Sequence, residues 1–361
     1  MSQTELPEST SPSESSPAMA STTPAPYVVE DCGPNLQLFS DGTVIRFEDY
    51  NILPPPVLPP ALSTVQWKDV VYDAGRGLKL RVYRPPAATV AGEKLPVLVY
   101  FHGGGYVIGS FEMDNFHACC LRLAHELPAA VLSADYRLAP EHRLPAAHDD
   151  AATAMSWVRD QAVASGDAAD PWLAESADFG RVFVSGDSAG AGIVHHVALR
   201  LGSGQIAVDP ARVAGCALLF PYFGGEERTR SEAEYPPGPF LTLPFSDQGW
   251  RLALPRGATR DHPLANPFGP ESPAMDAVAL PPLLVVVAQL DLLRDRDVDY
   301  AARLRAMGKQ VEMVEFEGQH HGFFAVEPLG DAGSELVRVV RRFVYGNGGD
   351  AAAAAAAAAS E

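Results

Sequence analysis

The sequence Gly-Asp-Ser-Ala-Gly at residues 186–190 combines a hydroxyl nucleophile with the small residues that could expose it. It follows the apolar run 182–184 and precedes the helix-like stretch 191–194. A Gly-x-Ser-x-Gly segment between a strand and a helix is typical of a nucleophile elbow, a sharp turn that projects the serine hydroxyl away from the backbone. Glycines two positions either side of the serine permit the strained backbone of such a turn. We therefore predict that Ser188 is a catalytic nucleophile.

A run of three glycines could supply donors for the negative charge that acyl transfer creates. The apolar stretch 95–101 predicts a buried strand, and His-Gly-Gly-Gly-Tyr follows it at 102–106. Glycine N–H groups are unobstructed by side chains, and the oxyanion of a tetrahedral intermediate needs such donors, together with the N–H of the residue after the nucleophile. The candidate donors are Gly103, Gly104, Gly105 and Ala189. The sequence does not select two of the three glycines, although Gly104 and Gly105 are favoured.

The residues after the elbow offer an acid and a base in the chain order expected for this motif. Asp291 lies just past the predicted strand 283–288, and His321 lies on the loop after the predicted strand 311–316. Functional groups of α/β sheets lie at the carboxyl ends of strands, so we predict this acid and this base, with His320 as the alternative base. Competing carboxylates near the start of the next predicted helix are expected to face solvent or to cap it; they are Asp295, Asp297 and Asp299.

Together these residues predict general-base catalysis by a serine nucleophile. His321 would take the proton of Ser188 during attack and return it to the leaving alcohol. Asp291 would hold the imidazole in the correct tautomer and stabilise the imidazolium. An unassisted serine hydroxyl is a poor nucleophile near neutral pH, so the base is required. The three residues are far apart in sequence, and only the fold can bring them together.

Composition and periodicity divide the chain into two tails and one domain. Residues 1–25 are rich in Ser, Thr, Pro and Glu and predict a disordered tail, and residues 346–361 form a low-complexity tail. In the domain between them, 26–345, predicted strands alternate with helices, which favours a mostly parallel sheet covered on both faces. Two segments, about 26–62 and 220–262, fall outside this alternation. Strands are predicted near 70–72, 79–84, 96–101, 130–135, 181–185, 214–219, 283–288 and 311–316, and helices near 114–126, 147–163, 189–202, 295–307 and 332–344.

Charge and composition argue against several classes of protein. The chain has 27 basic and 45 acidic residues, and its net charge of −18 argues against recognition of nucleic acid or of an anionic membrane. No apolar run approaches ~18 residues, so we expect no membrane insertion, and the N-terminal residues lack the pattern of a secretory signal. Four irregularly spaced cysteines are typical of reduced thiols. We therefore expect a cytoplasmic location, with the nucleus also compatible.

We expect neither a metal nor a cofactor. His195 and His196 are adjacent in a predicted helix and cannot share one helical face. The glycine-rich segment 103–109 lacks the spacing of a dinucleotide-binding loop. The expected partner is a small-molecule ester, and the sequence indicates no oligomeric state.

Five motifs occur in an order that is known from one family. They are His-Gly-Gly-Gly at 102–105, Asp-Tyr-Arg-Leu-Ala-Pro-Glu at 135–141, Gly-Asp-Ser-Ala-Gly at 186–190, Asp-Leu-Leu-Arg-Asp at 291–295 and His-Gly-Phe at 321–323. In these motifs the chain resembles the hormone-sensitive-lipase-like branch of the α/β-hydrolases over about residues 27–345. Within that branch it is similar to plant carboxylesterases. The stretches 36–46, 223–230 and 257–270 are most similar to the carboxylesterase 15 group.

The resemblance implies the α/β-hydrolase fold, with a cap made from about 26–62 and 220–262. It places the nucleophile at Ser188, the acid at Asp291 and the base at His321, in agreement with the interpretation of the residues themselves. The cap would bring aromatic and apolar side chains over the site, where small ligands meet mostly apolar pockets. The pocket residues predicted in this way are Tyr106, Tyr222, Phe223, Phe240 and Trp250, with Leu241 and Phe245 as further candidates.

The resemblance further implies a serine carboxylesterase for a small apolar ester or lactone. A plant-hormone-related substrate is expected, with a strigolactone first and a benzyl-type or salicyl-type aromatic ester second. The alternatives are a non-catalytic hormone receptor and a dehydratase of the same fold. The related receptors lack the catalytic histidine that is present here as His321, and the full Ser/Asp/His set favours the esterase over the dehydratase. The chain departs from the family at 191–192, where Gly-Asn is usual, and at Leu292, where Pro is usual; neither change affects a proton-transfer group.

Overall fold

A computed structural model describes Met1 and residues 25–47, 55–86 and 94–346 of the chain. The predicted tails, 1–25 and 346–361, lie almost wholly outside the described residues. The strands are β1 (Val28–Asp31), β2 (Leu36–Phe39), β3 (Val44–Arg46), β4 (Gln66–Asp73), β5 (Leu78–Arg84), β6 (Leu95–Phe101), β7 (Ala130–Ala134), β8 (Ala177–Asp187), β9 (Val213–Leu219), β10 (Leu283–Ala288) and β11 (Val311–Phe316).

Eight of these strands form the central sheet, in the order β11-β10-β9-β8-β6-β7-β5-β4. β5 runs antiparallel to both of its neighbours, and the other adjacent strands are parallel. This arrangement confirms the predicted fold class. Every residue of β6 is buried. Val97 and Val99 belong to the hydrophobic core on one face of the sheet, and Leu98 and Tyr100 belong to the core on the other, as the two-residue period of a doubly covered strand requires.

Helices cover both faces of this sheet. The buried residues of α2, α4 and α7 pack into one core, and those of α1 and α9 pack into the other. The observed bounds of α1 and α4 are the same as those that the sequence predicts. The helices are α1 (Asp114–Glu126), α2 (Ala146–Val163), α3 (Pro171–Ser176), α4 (Ala189–Gly202), α5 (Arg230–Glu234), α6 (Leu243–Ala253), α7 (Arg294–Ala306), α8 (Phe323–Val326) and α9 (Asp331–Tyr345).

The two segments outside the alternation meet above the carboxyl ends of the strands. The N-terminal one forms a small antiparallel sheet, β1-β2-β3, that the sequence analysis did not predict. The later one contains the short helix α5 and the helix α6. Arg251 of α6 binds the Glu30 carboxylate at 2.8 and 3.1 Å, and Gln248 donates to the same carboxylate at 3.0 Å. These contacts join the two segments into one cap.

Candidate active site

The Gly-x-Ser-x-Gly segment forms a sharp turn between β8, a central strand, and α4. Ser188 has φ 54° and ψ −118°, a backbone conformation that L-residues rarely adopt. A Cβ on Gly186 would lie 2.6 Å from the carbonyl carbon of Gly190, and a Cβ on Gly190 would overlap the carbonyl group of Phe101. Both glycines are therefore required by the close approach of neighbouring backbones. The turn presents the serine at the carboxyl end of the sheet.

Ser188, His321 and Asp291 form one hydrogen-bond chain. His321 Nε2 lies 2.8 Å from Ser188 Oγ, and His321 Nδ1 lies 2.6 Å from Asp291 Oδ2. The Leu293 N–H donates to the other oxygen of Asp291 at 2.9 Å and orients the carboxylate. With its Nδ1 protonated toward the carboxylate, the imidazole leaves Nε2 free to accept the serine proton. The arrangement can generate a serine nucleophile at neutral pH.

The competing carboxylates of α7 do not join this chain. Asp295 accepts a hydrogen bond from the Ser231 N–H at 2.9 Å, and Asp299 pairs with Arg303 at 2.8 Å on the surface. Asp297 corrects the expectation that all three would face solvent or cap the helix. It is fully buried, neither of its oxygens has a partner among the described residues, and burial raises the pKa of its carboxyl well above the usual range. The reason is helical geometry: 295 and 299 share one face, and 297 lies on the opposite face, toward the core.

The alternative base, His320, also lies outside the hydrogen-bond chain. It lines a second, smaller cavity of about 390 Å³, and its Nδ1 has no hydrogen-bond partner among the described residues. Gly322 follows the catalytic-site histidine with φ 71°, a left-handed conformation that favours glycine and that lets the chain turn into α8. The loop thus directs His321, and not His320, toward the serine.

The glycine loop after β6 supplies unpaired backbone donors beside Ser188. Gly104 and Gly105 both line the cavity that contains the serine, and their N–H groups make no hydrogen bond among the described residues. Gly104 has φ +117°, and a Cβ there would overlap the Ile108 carbonyl, so no other residue fits. Ala189 is the first residue of α4, where a backbone N–H has no partner within the helix. These three groups can stabilise an oxyanion.

Gly103 has a different environment from its two neighbours. It does not line the cavity, and a Cβ there would overlap the carboxylate of Asp187. Burial raises the pKa of this carboxyl, and the hydrogen bond from the Tyr100 hydroxyl, at 2.7 Å, opposes that rise. Gly103 thus packs against Asp187 outside the cavity lining, and Gly104, Gly105 and Ala189 are the donors beside Ser188. His102 holds the loop through Nδ1, 2.7 Å from the Gly103 carbonyl oxygen, and through Nε2, 3.2 Å from Asp135.

A cavity of about 670 Å³ opens onto Ser188 and His321. Most of its lining is apolar, as is usual for pockets that take small ligands. Of the predicted pocket residues, Tyr222 and Phe240 line it, and so do the further candidates Leu241 and Phe245. Tyr106, Phe223 and Trp250 do not line it, so these three predictions are corrected. Each of the three is buried in the hydrophobic core on the α4 side of the sheet.

Helical geometry explains the correction at Trp250. Positions 244, 245, 248, 249, 251 and 252 of α6 line the cavity, and their spacing of three, four and seven residues marks one broad helical face. Trp250 lies on another face and stacks on Tyr222, with ring centroids 4.4 Å apart and planes 3° from parallel. Tyr106 packs beside the same tryptophan at 5.8 Å, and Phe223 packs against Tyr300 at 4.8 Å. Aromatic character alone did not identify which face of the helix meets the ligand.

Several groups of cavity residues were not predicted from the sequence, two of them outside any motif. The turn between β1 and β2, residues 31–35, contributes a continuous part of the lining, and Met113, Asn115 and Phe116 contribute another part at the start of α1. Neither group carries a catalytic spacing or a recognisable motif. The only available signal for the first was the resemblance of the adjoining stretch 36–46 to one group of esterases.

The histidine, cysteine and acidic side chains of the described residues form no metal site. Across residues 25–47, 55–86 and 94–346, no group of three or more His, Cys, Asp or Glu side chains is arranged to hold a metal ion. His195 bonds the Tyr300 hydroxyl at 2.9 Å, and His196 stacks on His148 at 3.9 Å, so both histidines contact the protein interior. Within the same ranges, no helix is long and apolar enough to cross a membrane.

Comparison with known proteins agrees with this geometry. A family description with the α/β-hydrolase fold matches residues 98–325. The chain is 34% identical over 337 residues to a tuliposide A-converting enzyme of Tulipa gesneriana, a match that covers 91% of this chain and 84% of that enzyme. It is 37% identical over 269 residues to the 3-O-acetylpapaveroxine carboxylesterase of Papaver somniferum, covering 73% and 83% of the two chains. An esterase of Pyrobaculum calidifontis matches in structure with a TM-score of 0.63 at 33% identity, covering 77% and 85%.

The chain therefore belongs to the family of α/β-hydrolases. Its similarity to plant proteins extends to the probable carboxylesterase 8 of Arabidopsis thaliana, at 36% identity over 86% of this chain and 92% of that one. Fold, relatives and site together identify a carboxylic ester hydrolase of the plant carboxylesterase type.

Proposed function

We propose that Ser188 of this enzyme attacks the ester carbonyl while His321 removes the hydroxyl proton. The new bond joins Ser188 Oγ to the carbonyl carbon, and the carbonyl electron pair moves onto oxygen. The N–H groups of Gly104, Gly105 and Ala189 stabilise this oxyanion. The protonated imidazole, held by Asp291, then gives its proton to the leaving alcohol as the carbon–oxygen bond breaks.

The acyl group is removed from the serine in a second step of the same type. Water enters the site after the alcohol leaves, and the histidine takes its proton as it attacks the acyl carbonyl. The collapse of the second tetrahedral intermediate releases the carboxylic acid and restores the serine hydroxyl. Transfer of the acyl group first to the serine and then to water, with one histidine as the base, thus accounts for hydrolysis, and the proton balance needs no cofactor.

The observation that carries this proposal is the continuous chain from Ser188 Oγ through His321 to Asp291, at 2.8 and 2.6 Å. Replacement Ser188→Ala should lower kcat for a 4-nitrophenyl acyl ester by about 10⁴-fold or more, with the folded state retained. His321→Ala should cost nearly as much, because residues that act as a unit are not additive.

His320→Ala is the matched control, since it removes the same side chain from the adjacent position. It should keep most of the activity. If the serine variant retained activity within tenfold of the parent enzyme, or if the two histidine variants exchanged their effects, the proposed mechanism would be wrong. Circular dichroism of each variant checks that folding is unchanged.

For the substrate, we propose a small apolar ester or lactone, with a strigolactone first and a benzyl or salicyl ester second. The apolar lining and the volume of about 670 Å³ support a compact organic ester. The resemblance to the carboxylesterase 15 group supports the hormone-related choice, and a cytoplasmic location belongs to the same proposal. The named relatives include enzymes for tuliposide A and for 3-O-acetylpapaveroxine, and both compounds belong in the same screen.

The test compares kcat/KM across a strigolactone, a benzyl salicylate-type ester and short acyl esters of one leaving group. The proposal expects the strigolactone to have the largest value. If it were turned over no faster than a short-chain ester, the hormone-related substrate should be abandoned while the ester hydrolase remains.

A further inference from the structure

Asn35 is a buried amide side chain in the wall of the catalytic cavity. It lies just before β2, in the cap, and only 8% of the residue is exposed. Its backbone is well held, because its N–H donates to the Cys32 carbonyl at 3.3 Å and its carbonyl accepts from the Phe47 N–H at 3.1 Å. Its side-chain oxygen is buried and has no hydrogen-bond partner among the described residues. Because this oxygen has almost no accessible surface and no hydrogen bond holds the amide, a ligand can reach it when the amide group turns toward the cavity.

The other polar side chains of the cap wall are engaged. Gln248 donates to Glu30 and to the Asp31 carbonyl, and the Asp31 carboxylate accepts from the Gly33 N–H at 3.0 Å. Arg251 forms its ion pair with Glu30. The cationic and anionic groups of the wall therefore already have partners of opposite charge or backbone donors.

The same holds for further polar side chains of the lining. Asn115 donates its amide N–H to the Ala325 carbonyl at 2.8 Å, and the hydroxyl of Thr242 caps α6 by accepting from the Phe245 N–H. Among the described amide, carboxylate, hydroxyl, guanidinium and imidazole side chains of the lining, the side chain of Asn35 alone has no hydrogen bond.

We propose that Asn35 is a specificity-determining residue that binds a neutral hydroxyl group of the substrate, remote from the ester carbonyl. This inference rests on the proposed function, since it concerns the ester that Ser188 attacks. The amide offers both an acceptor and a donor, and a substrate hydroxyl can donate to the first and accept from the second through one oxygen atom. The preferred substrate is then an ester with an apolar body and one hydroxyl group, either on the acyl half or on the alcohol half.

The size of the effect follows from the unpaired amide. An apolar substrate leaves it buried without a partner, whereas a hydroxyl satisfies it. The usual free-energy difference for such a group is about 1–3 kcal/mol, which is about 5- to 150-fold in kcat/KM. Sites that hydrogen-bond a substrate hydroxyl reject the analogue without it for this reason.

The experiment uses pairs of esters that differ only by hydroxyl against methyl on an aromatic ring. One series places the group on the acyl half, in 4-nitrophenyl 3-(hydroxyphenyl)propanoates and 3-(methylphenyl)propanoates. The other places it on the alcohol half, in 2-(hydroxyphenyl)ethyl and 2-(methylphenyl)ethyl acetates, and each series includes the meta and para isomers. The parent enzyme should prefer the hydroxyl member of at least one pair by about 5- to 150-fold in kcat/KM.

Asn35→Leu should abolish this preference by lowering kcat/KM for the hydroxyl ester, while kcat/KM for the methyl ester is equal or higher. Its melting temperature should not fall below that of the parent, because the amide oxygen has no partner to lose. Asn115→Leu is the matched control: the same change at an amide already bonded to Ala325 should lower the melting temperature and affect both members of a pair alike.

The outcomes separate this inference from the function on which it rests. Ser188→Ala should be inactive on every ester; if it were active, the proposed function would fail. If Ser188→Ala is inactive but the parent shows no hydroxyl preference in any pair, the role of Asn35 is refuted. It is also refuted if the preference survives in Asn35→Leu, or if that variant loses as much thermal stability as Asn115→Leu. Asn35→Ala, which adds no bulk, provides the same kinetic comparison should the leucine variant not fold.

Discussion

The substitution Asp297→Asn should stabilise the enzyme, increasingly so as the pH rises. Asp297 is fully buried in α7, and neither of its oxygens has a partner among the described residues. Burial raises the pKa of its carboxyl well above the usual range, the nearby Asp291 raises it further, and Arg296 opposes the rise. The side chain is therefore held as the neutral acid when the unfolded chain would ionise it. Asparagine keeps the shape and cannot ionise.

The sign and the size follow from the linkage between proton binding and folding. A carboxyl with a raised folded-state pKa contributes its full stability below the pKa of the unfolded chain, and this stability is lost as the pH rises toward the folded-state value. The loss is about 1.4 kcal/mol for each pH unit in that window. Between pH 5 and pH 7 the advantage of the asparagine variant should thus grow by up to about 3 kcal/mol.

Urea unfolding of the parent and the variant, repeated from pH 5 to pH 8, measures this difference directly. Asp299→Asn is the matched control on the same helix, because Asp299 is exposed and paired with Arg303; it should change the free energy of unfolding by less than about 0.5 kcal/mol. Groups that titrate equally in parent and variant cancel in the comparison. An advantage that does not grow with pH, or a variant less stable at every pH, would show that the buried carboxyl is ionised and paired, and the argument would fail.

Two further predictions concern the core on the α4 side of the sheet. Burial lowers the pKa of His148, His195 and His196, for His196 to about 4. The free energy of unfolding should therefore be highest above the ordinary histidine pKa near 6.5 and should fall below it, by up to about 1.4 kcal/mol per pH unit for each histidine. Urea unfolding at pH 7.5 and 5.5 tests this, and equal stability at both would contradict it. Gly192→Ala should destabilise the fold by about 1–3 kcal/mol, because its Cβ would overlap the Tyr106 hydroxyl. Tyr106→Phe should remove most of that cost, and a double-mutant cycle without coupling would refute the contact.

Local patterns in the sequence were enough to predict the framework and the three residues of the hydrogen-bond chain. The strand 283–288 agrees with β10 and the helix 189–202 agrees with α4, because continuous apolar runs and glycine-bounded segments reflect short-range preferences. Ser188, Asp291 and His321 could be chosen because each follows a predicted strand, and parallel strands deliver their carboxyl ends to one edge of the sheet. The catalytic hypothesis thus needed only the order of the strands and motifs along the chain, and no knowledge of side-chain packing.

The wall of the cavity was decided by tertiary structure. Its cap side comes from the turn at 31–35 and from one face of α6, which are about 210 residues apart in the chain and are joined by the Arg251–Glu30 ion pair. Which face of α6 meets the cavity depends on the stacking of Trp250 on Tyr222, a packing contact that the helical pattern alone does not specify. For that reason the composition of the cap predicted an apolar pocket but misassigned Trp250 to its lining.

Burial of polar groups also depended on tertiary context. Asp297 has the sequence neighbourhood of a solvent-facing residue near a helix start, yet the register of α7 against the sheet turns it inward. Asn35 belongs to no sequence motif, and only the folded cap shows that its side chain is buried without a hydrogen-bond partner. A sequence specifies which groups can ionise or form hydrogen bonds. Whether they find a partner depends on long-range packing, because the partner comes from another part of the chain.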